Sequence, residues 1–143
     1  MATASDVASY ILQQTGPTSA MKLQKLVYYS QAWHAVWSDA QLFPERIEAW
    51  AHGPVVPSLY LQHRGEFIVD SDTFKGDADA LSADEKDSVQ RVLEAYGDKS
   101  SQWLSDLTHM EAPWRRARSG VADGDRCNNV ISLESMSEYY SAL

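Results

Sequence analysis

The chain has 143 residues, 44% of them hydrophobic, with five Trp and seven Tyr, which is enough apolar bulk for the core of one ordinary domain. Its formal net charge of -8 and pI of about 4.8 disfavour broad binding to nucleic acid or anionic membranes, because an acidic surface repels phosphate, and suit a basic protein partner. Cys127 is the single cysteine, so neither an intrachain disulfide nor a cysteine zinc site can form, as befits a reducing cytoplasm.

The first ten residues lack a basic segment ahead of an apolar one, so no signal peptide is expected. No apolar run nears the ~20 residues of a membrane span. The expectation is a soluble cytoplasmic protein without a membrane partner.

Residues 5–14 read as a first helix, with Val7, Tyr10 and Ile11 on one stripe, ended by Thr15-Gly16-Pro17. Thr18 or Ser19 can cap a second helix over 20–37. Its spacing places Leu23, Leu26, Val27, Ser30, Trp33, His34 and Trp37 on one broad apolar face, with Gln24, Lys25, Tyr28 and Gln31 opposite. So broad a face predicts the centre of the fold. Phe43 and Pro44 lie in a loop, and alternation over 47–51 predicts a short strand. Gly53 and Pro54 then form a rigid corner, and Pro57 starts a helix running to about His63.

A second short strand is expected over 66–69. Residues 70–79, acidic and poor in apolar side chains, read as a mobile loop. Ser82 and Glu85 have the spacing of a capping box, opening a helix with Val89, Val92, Leu93 and Tyr96 on one face and Gly97 as its stop. Ser100 or Ser101 starts another, carrying Trp103, Leu104 and Leu107. Residues 114–118 form a brief helical turn after Pro113. Residues 121–129 are a polar loop, and Ser132 caps a last helix with Leu133, Met136, Tyr139, Tyr140 and Leu143. The fold class is mainly α (α+β): a compact helical domain around a central helix, with a small antiparallel β element.

Chemistry is hard to find in the sequence. None of His34, His52, His63 and His109 has metal-ligand spacing. His34 reads as a satisfied core histidine. His109-Met110-Glu111 matches half of a zinc-deaminase motif, but the Pro-Cys-x-x-Cys half is missing. Cys127 reads as a spare thiol, and no phosphate-binding glycine loop exists. Arg115, Arg116 and Arg118 read as a solvated basic face. No catalytic residue, metal or cofactor is expected. What remains is an abundance of aromatic side chains, the residues that dominate protein-binding hot spots.

Three stretches together resemble one family. They are Met21-Lys-Leu-Gln-Lys-Leu-Val-Tyr-Tyr-Ser-Gln-Ala-Trp-His34, Glu48-Ala-Trp-Ala-His-Gly-Pro-Val-Val-Pro-Ser-Leu-Tyr60 and Leu107-Thr-His-Met-Glu-Ala-Pro-Trp-Arg-Arg-Ala-Arg118. Residues 131–143 also fit. The family is the Panacea or SocA-like antitoxin domain, and the likeness spans almost the whole chain. It implies one domain over 1–143 and a non-enzymatic antitoxin that binds and blocks a cognate protein toxin, usually encoded next to it. Some relatives are described as handing the toxin to an ATP-dependent protease, and many carry a DNA-binding domain, for which no room is expected before Ser5. A homo-oligomer is compatible with this reading.

Carried over to this sequence, the signature residues are Trp50, Gly53, Pro54, Val55, Pro57, Tyr60, His109, Pro113 and Trp114, in structural or partner-binding roles. Tyr28, Tyr60, Trp114 and Arg115 are the candidate partner contacts. Two other readings stay open. One is a phage-encoded interaction protein aimed at a host factor. The other is a hydrolase, which would require Cys127 and His109 to meet in a pocket.

Overall fold

The computed structural model describes all 143 residues. Helix α1 (Ala4–Thr15) opens on a capping box between Thr3 and Asp6 and stops at Gly16. Strand β1 (Thr18–Ser19) leads directly into α2 (Ala20–Ser38), whose Lys22 N–H is capped by the Ser19 hydroxyl. Strands β2 (Ile47–Trp50) and β3 (Gly53–Val55) precede α3 (Pro57–His63) and β4 (Ile68–Val69). A single 3-10 turn (Ala78–Ala80) precedes α4 (Ala83–Tyr96), opened by the expected Ser82–Glu85 capping box. Helices α5 (Ser101–Met110) and α6 (Ala112–Ala117), strand β5 (Val130–Ile131) and helix α7 (Leu133–Ser141) complete the chain. The fold is mainly α with a small antiparallel β element.

The strands form two antiparallel sheets, β3-β2-β5 and β1-β4. The second is shorter than expected at 66–69, because its partner is only the two residues Thr18 and Ser19. Phe67 instead extends the pairing by accepting from the Ala20 N–H at 2.9 Å.

Helix α2 is the axis on which α1, α4, α5, α7 and β3 pack. The expectation of one apolar and one polar face needs correction. Gln24, Lys25, Tyr28 and Gln31, expected opposite the core, are all buried, whereas Trp37 at the apolar end is exposed. The physical reason is enclosure from all sides. The polar stripe survives burial by bonding inward. Gln31 accepts from the Leu42 N–H at 2.7 Å and donates to the Phe43 carbonyl at 2.8 Å. Gln24 does the same for Val56. His34, as expected, is a satisfied core residue, its Nδ1 2.8 Å from the Ser88 hydroxyl.

Residues 70–79 are not a free loop. Phe74 is buried, the Asp77 N–H donates to Asp6 Oδ1 at 2.8 Å and the Lys75 N–H donates to Gln62 at 2.9 Å. Gly76 lies so close to the Ser5 carbonyl that a side chain there would collide with it. The acidic composition concealed one apolar anchor and an acceptor supplied by α1.

Candidate functional site

The expected corner at Gly53-Pro54 is a strand. Strands β2 and β3 form a hairpin in which Trp50 pairs with Gly53, so the chain reverses at Ala51-His52. Neither turn residue has a positive φ, while Gly53 has φ +120°. Two-residue hairpins favour turns with positive φ, and here the following glycine absorbs the mismatch instead. Gly53 is required a second time by packing. A Cβ there would run into the Lys25 side chain and sit 3.2 Å from the Thr108 hydroxyl. Pro54 is on the free edge of the sheet, where its missing N–H costs no ladder bond. Pro57 opens α3 as expected.

The three sequence blocks converge on this hairpin. From α2, Gln24 accepts from the Val56 N–H at 2.9 Å and lies 3.0 Å from His63 Nε2. From α5, Ser105 donates to the His52 carbonyl at 2.7 Å. From α6, the Trp114 indole N–H donates to the Trp50 carbonyl at 2.9 Å. His109 stacks on Trp114 with ring centroids 4.1 Å apart. Arg118 donates to the Ala49 carbonyl at 3.0 Å and, from its other nitrogen, to the Ala122 and Asp125 carbonyls.

The expected basic face therefore divides. Arg115 and Arg116 are exposed, but Arg118 is buried and ties the 119–129 loop to β2. A guanidinium can be buried when backbone carbonyls take up most of its donors. Here both terminal nitrogens are bonded and Nε alone has no partner, and nothing in the local sequence distinguishes Arg118 from its neighbours.

Beside the hairpin lies a cavity of about 660 Å³. Trp50 and Tyr60, both in its lining, meet edge to face, 4.9 Å between centroids, and Tyr60 meets His63 in the same way at 5.4 Å. Met21 and Val55 add apolar surface, and Arg126, Cys127 and Asn128 of the loop complete the wall. Its floor is already satisfied. Glu48 accepts from the Trp50 indole at 2.9 Å and from Arg46 at 2.6 Å, and burial holds the His63 imidazole below its usual range.

Of the candidate contacts, Tyr60 lines this cavity and Arg115 is exposed. Tyr28 and Trp114 are corrections, being 1% and 3% exposed, so their rings offer a partner no surface. Of the other signature residues, Trp50, Pro57 and His109 are half-buried, and Gly53, Pro54, Val55 and Pro113 are buried. His109 does not line the cavity that Cys127 lines, where the imidazoles are those of His52 and His63. In this cavity the Cys127–His109 meeting needed by a hydrolase does not form.

The residues missed at sequence level are Gln24, Lys25 and Glu111. Lys25 is fully buried with no hydrogen-bond partner, and burial pulls its pKa down to about 7. Glu111 accepts from the Tyr29 and Tyr140 hydroxyls, each at 2.7 Å, and burial raises its pKa. One signal was available: α2 carries no Asp, Glu, Lys or Arg from Leu26 to Ser38, as a helix enclosed on every side requires.

No group of three or more His, Cys, Asp or Glu side chains is arranged to hold a metal ion, and no helix is long and apolar enough to cross a membrane. No curated protein and no solved structure matches the chain. The family model described as "Antitoxin SocA-like, Panacea domain" matches residues 23–115, the stretch that builds the hairpin and most of its supports. The chain belongs to the antitoxin SocA-like, Panacea domain family.

Proposed function

We propose that residues 1–143 form a single antitoxin domain that neutralises a cognate protein toxin by binding it directly, with no turnover of its own. Family membership over residues 23–115 is the observation that carries this reading. The net charge of -8 supports capture of a basic protein, with electrostatic attraction speeding encounter. Half-exposed or exposed aromatics such as Tyr60, Trp50 and Trp103 supply surface for anchoring contacts.

The toxin is expected from a neighbouring gene, and the complex is expected to form in the cytoplasm. The test is growth of cells expressing that neighbour with and without this chain, followed by a pull-down. Rescue with a stable complex and an undiminished toxin level supports direct neutralisation. Rescue with loss of the toxin points to delivery to an ATP-dependent protease. A harmless neighbour defeats the proposal and favours a phage-encoded protein aimed at a host factor. Added salt should slow association more than it shortens the life of the complex.

A further inference from the structure

We propose that the cavity beside the β2–β3 hairpin is the docking site for an apolar side-chain cluster on a basic protein toxin, an occupant that rests on the antitoxin reading above. At about 660 Å³ the cavity lies within the ~300–1,000 Å³ range of sites that enclose a substantial ligand. It is not a core void, because the exposed Arg126 and His52 stand in its lining.

The hydrogen bonding of the floor selects an apolar occupant. The Trp50 indole N–H is taken by Glu48, and the Gln24 amide is taken by Val56 and His63. Trp50, Met21 and Val55 therefore present ring and hydrocarbon with no waiting donor. Tyr60 adds a ring whose hydroxyl is the one lining phenol left for a partner's polar group, and the polar groups of Arg126 and His52 stand at the exposed rim. An apolar anchor pocket with a polar rim is the arrangement of a protein-binding hot spot.

The mode of binding is narrowed as well. Strand addition along β3 is blocked, because Pro54 has no N–H and the Val56 N–H and carbonyl are both occupied by Gln24. A second copy of this chain is disfavoured, since each copy carries a net charge of -8. The same charge is complementary to a basic partner. The loop wall is preformed, pinned by Arg118 to the Ala122 and Asp125 carbonyls and by Asn129 to the Ala117 carbonyl, which limits the ordering cost of binding.

Cys127, the single thiol, lines this cavity and is half-buried and free, so it reports on occupancy. The experiment measures reaction of Cys127 with Ellman's reagent in the free chain and in its complex with the product of the adjacent reading frame. The expected result is slowing by about tenfold or more in the complex. Met21→Asp adds a charge inside the cavity at the start of α2, where a carboxylate suits the helix dipole. Cys127→Trp fills the cavity from the loop side. Each variant should keep the wild-type melting temperature and weaken binding by about tenfold or more.

If the complex forms but Cys127 reacts at the free rate and both variants bind normally, the cavity assignment falls while toxin neutralisation stands. If the wild-type chain forms no complex, both fall together. Protection of Cys127 by the low-molecular-weight fraction of a lysate, or by raising the concentration of the chain alone, overturns the protein occupant in favour of a small ligand or a second copy.

Discussion

Around Glu111 each phenol hydroxyl has a partner, whereas beneath Gly53 a buried amine has none. In the first region Tyr29 and Tyr140 donate to one Glu111 oxygen, Tyr28 and Tyr140 share a hydrogen bond at 3.0 Å, and Tyr96 accepts from the Trp33 indole at 3.1 Å. Tyr29 and Tyr96 also stack, 4.3 Å between centroids. In the second, Lys25 Nζ and His109 Nε2 are buried without partners. Both regions join α2 to the 107–118 block. A satisfied polar cluster fixes one arrangement of helices, because any other leaves buried hydroxyls unpaired. An unsatisfied amine costs free energy in every packed arrangement, and here it lies directly under the hairpin that walls the cavity.

The largest effects should come from breaking the satisfied side. Glu111→Ala removes the acceptor of two buried hydroxyls and should cost about 3–5 kcal/mol, read from chemical denaturation. Trp114→Ala should cost a comparable ~3–5 kcal/mol, through lost packing and the abandoned Trp50 carbonyl. If Glu111→Ala melts like wild type, the cluster is not what holds the helices together.

A glycine pair probes the other side. Gly53 and Gly65 both have positive φ, but a Cβ at Gly65 meets nothing while one at Gly53 meets Lys25 and Thr108. Gly65→Ala should cost about 1 kcal/mol and Gly53→Ala about 2–4 kcal/mol. Equal costs would mean that Lys25 moves aside freely.

Lys25→Met keeps the length of the side chain and deletes the amine, so it should raise stability by about 1–4 kcal/mol. Its pH dependence sharpens the point. Between about pH 7 and 10.5 the unfolded chain holds the Lys25 proton and the folded chain does not. Stability should therefore rise with pH across this window, at up to about 1.4 kcal/mol per unit, and Lys25→Met should remove that rise. Glu111 works in the opposite sense. Its folded pKa is raised above 4.5, so its contribution is present at low pH and lost as pH climbs through the raised value. A flat wild-type profile above pH 7 would show that the amine stays charged in the fold.

Among the side-chain truncations the smallest effect expected is that of Trp50→Ala. Trp50 is half-buried, so truncation should cost about 1–2 kcal/mol, below the ~3–5 kcal/mol of a fully buried Trp. Partner binding should fall more than stability does. The reverse ranking would make Trp50 a packing residue.

Local signals were legible wherever a residue acts on its own backbone neighbours. Ser82 and Glu85 cap α4, Ser132 caps α7, Pro57 begins α3 and Gly16 ends α1. The 121–129 loop was also readable as polar, but its place as a cavity wall was not. That place depends on Arg118 reaching Ala49, 69 positions away along the chain. The two faces of α2 were misassigned for a related reason. Helical periodicity reports which residues share a stripe, not how many neighbours cover the helix.

What the sequence determined by itself are the properties carried by composition and near neighbours: the acidic charge, the order and caps of the helices, the brief strands and the blocks that mark the family. Tertiary structure decided which polar residues go inside, where the hairpin turns and where the cavity opens. The enclosed Lys25, the paired hydroxyls at Glu111 and the wall at Cys127 each arise from elements far apart in the chain. Their energies depend on solvent exclusion and on partners within hydrogen-bond reach, and both exist only once the chain has packed.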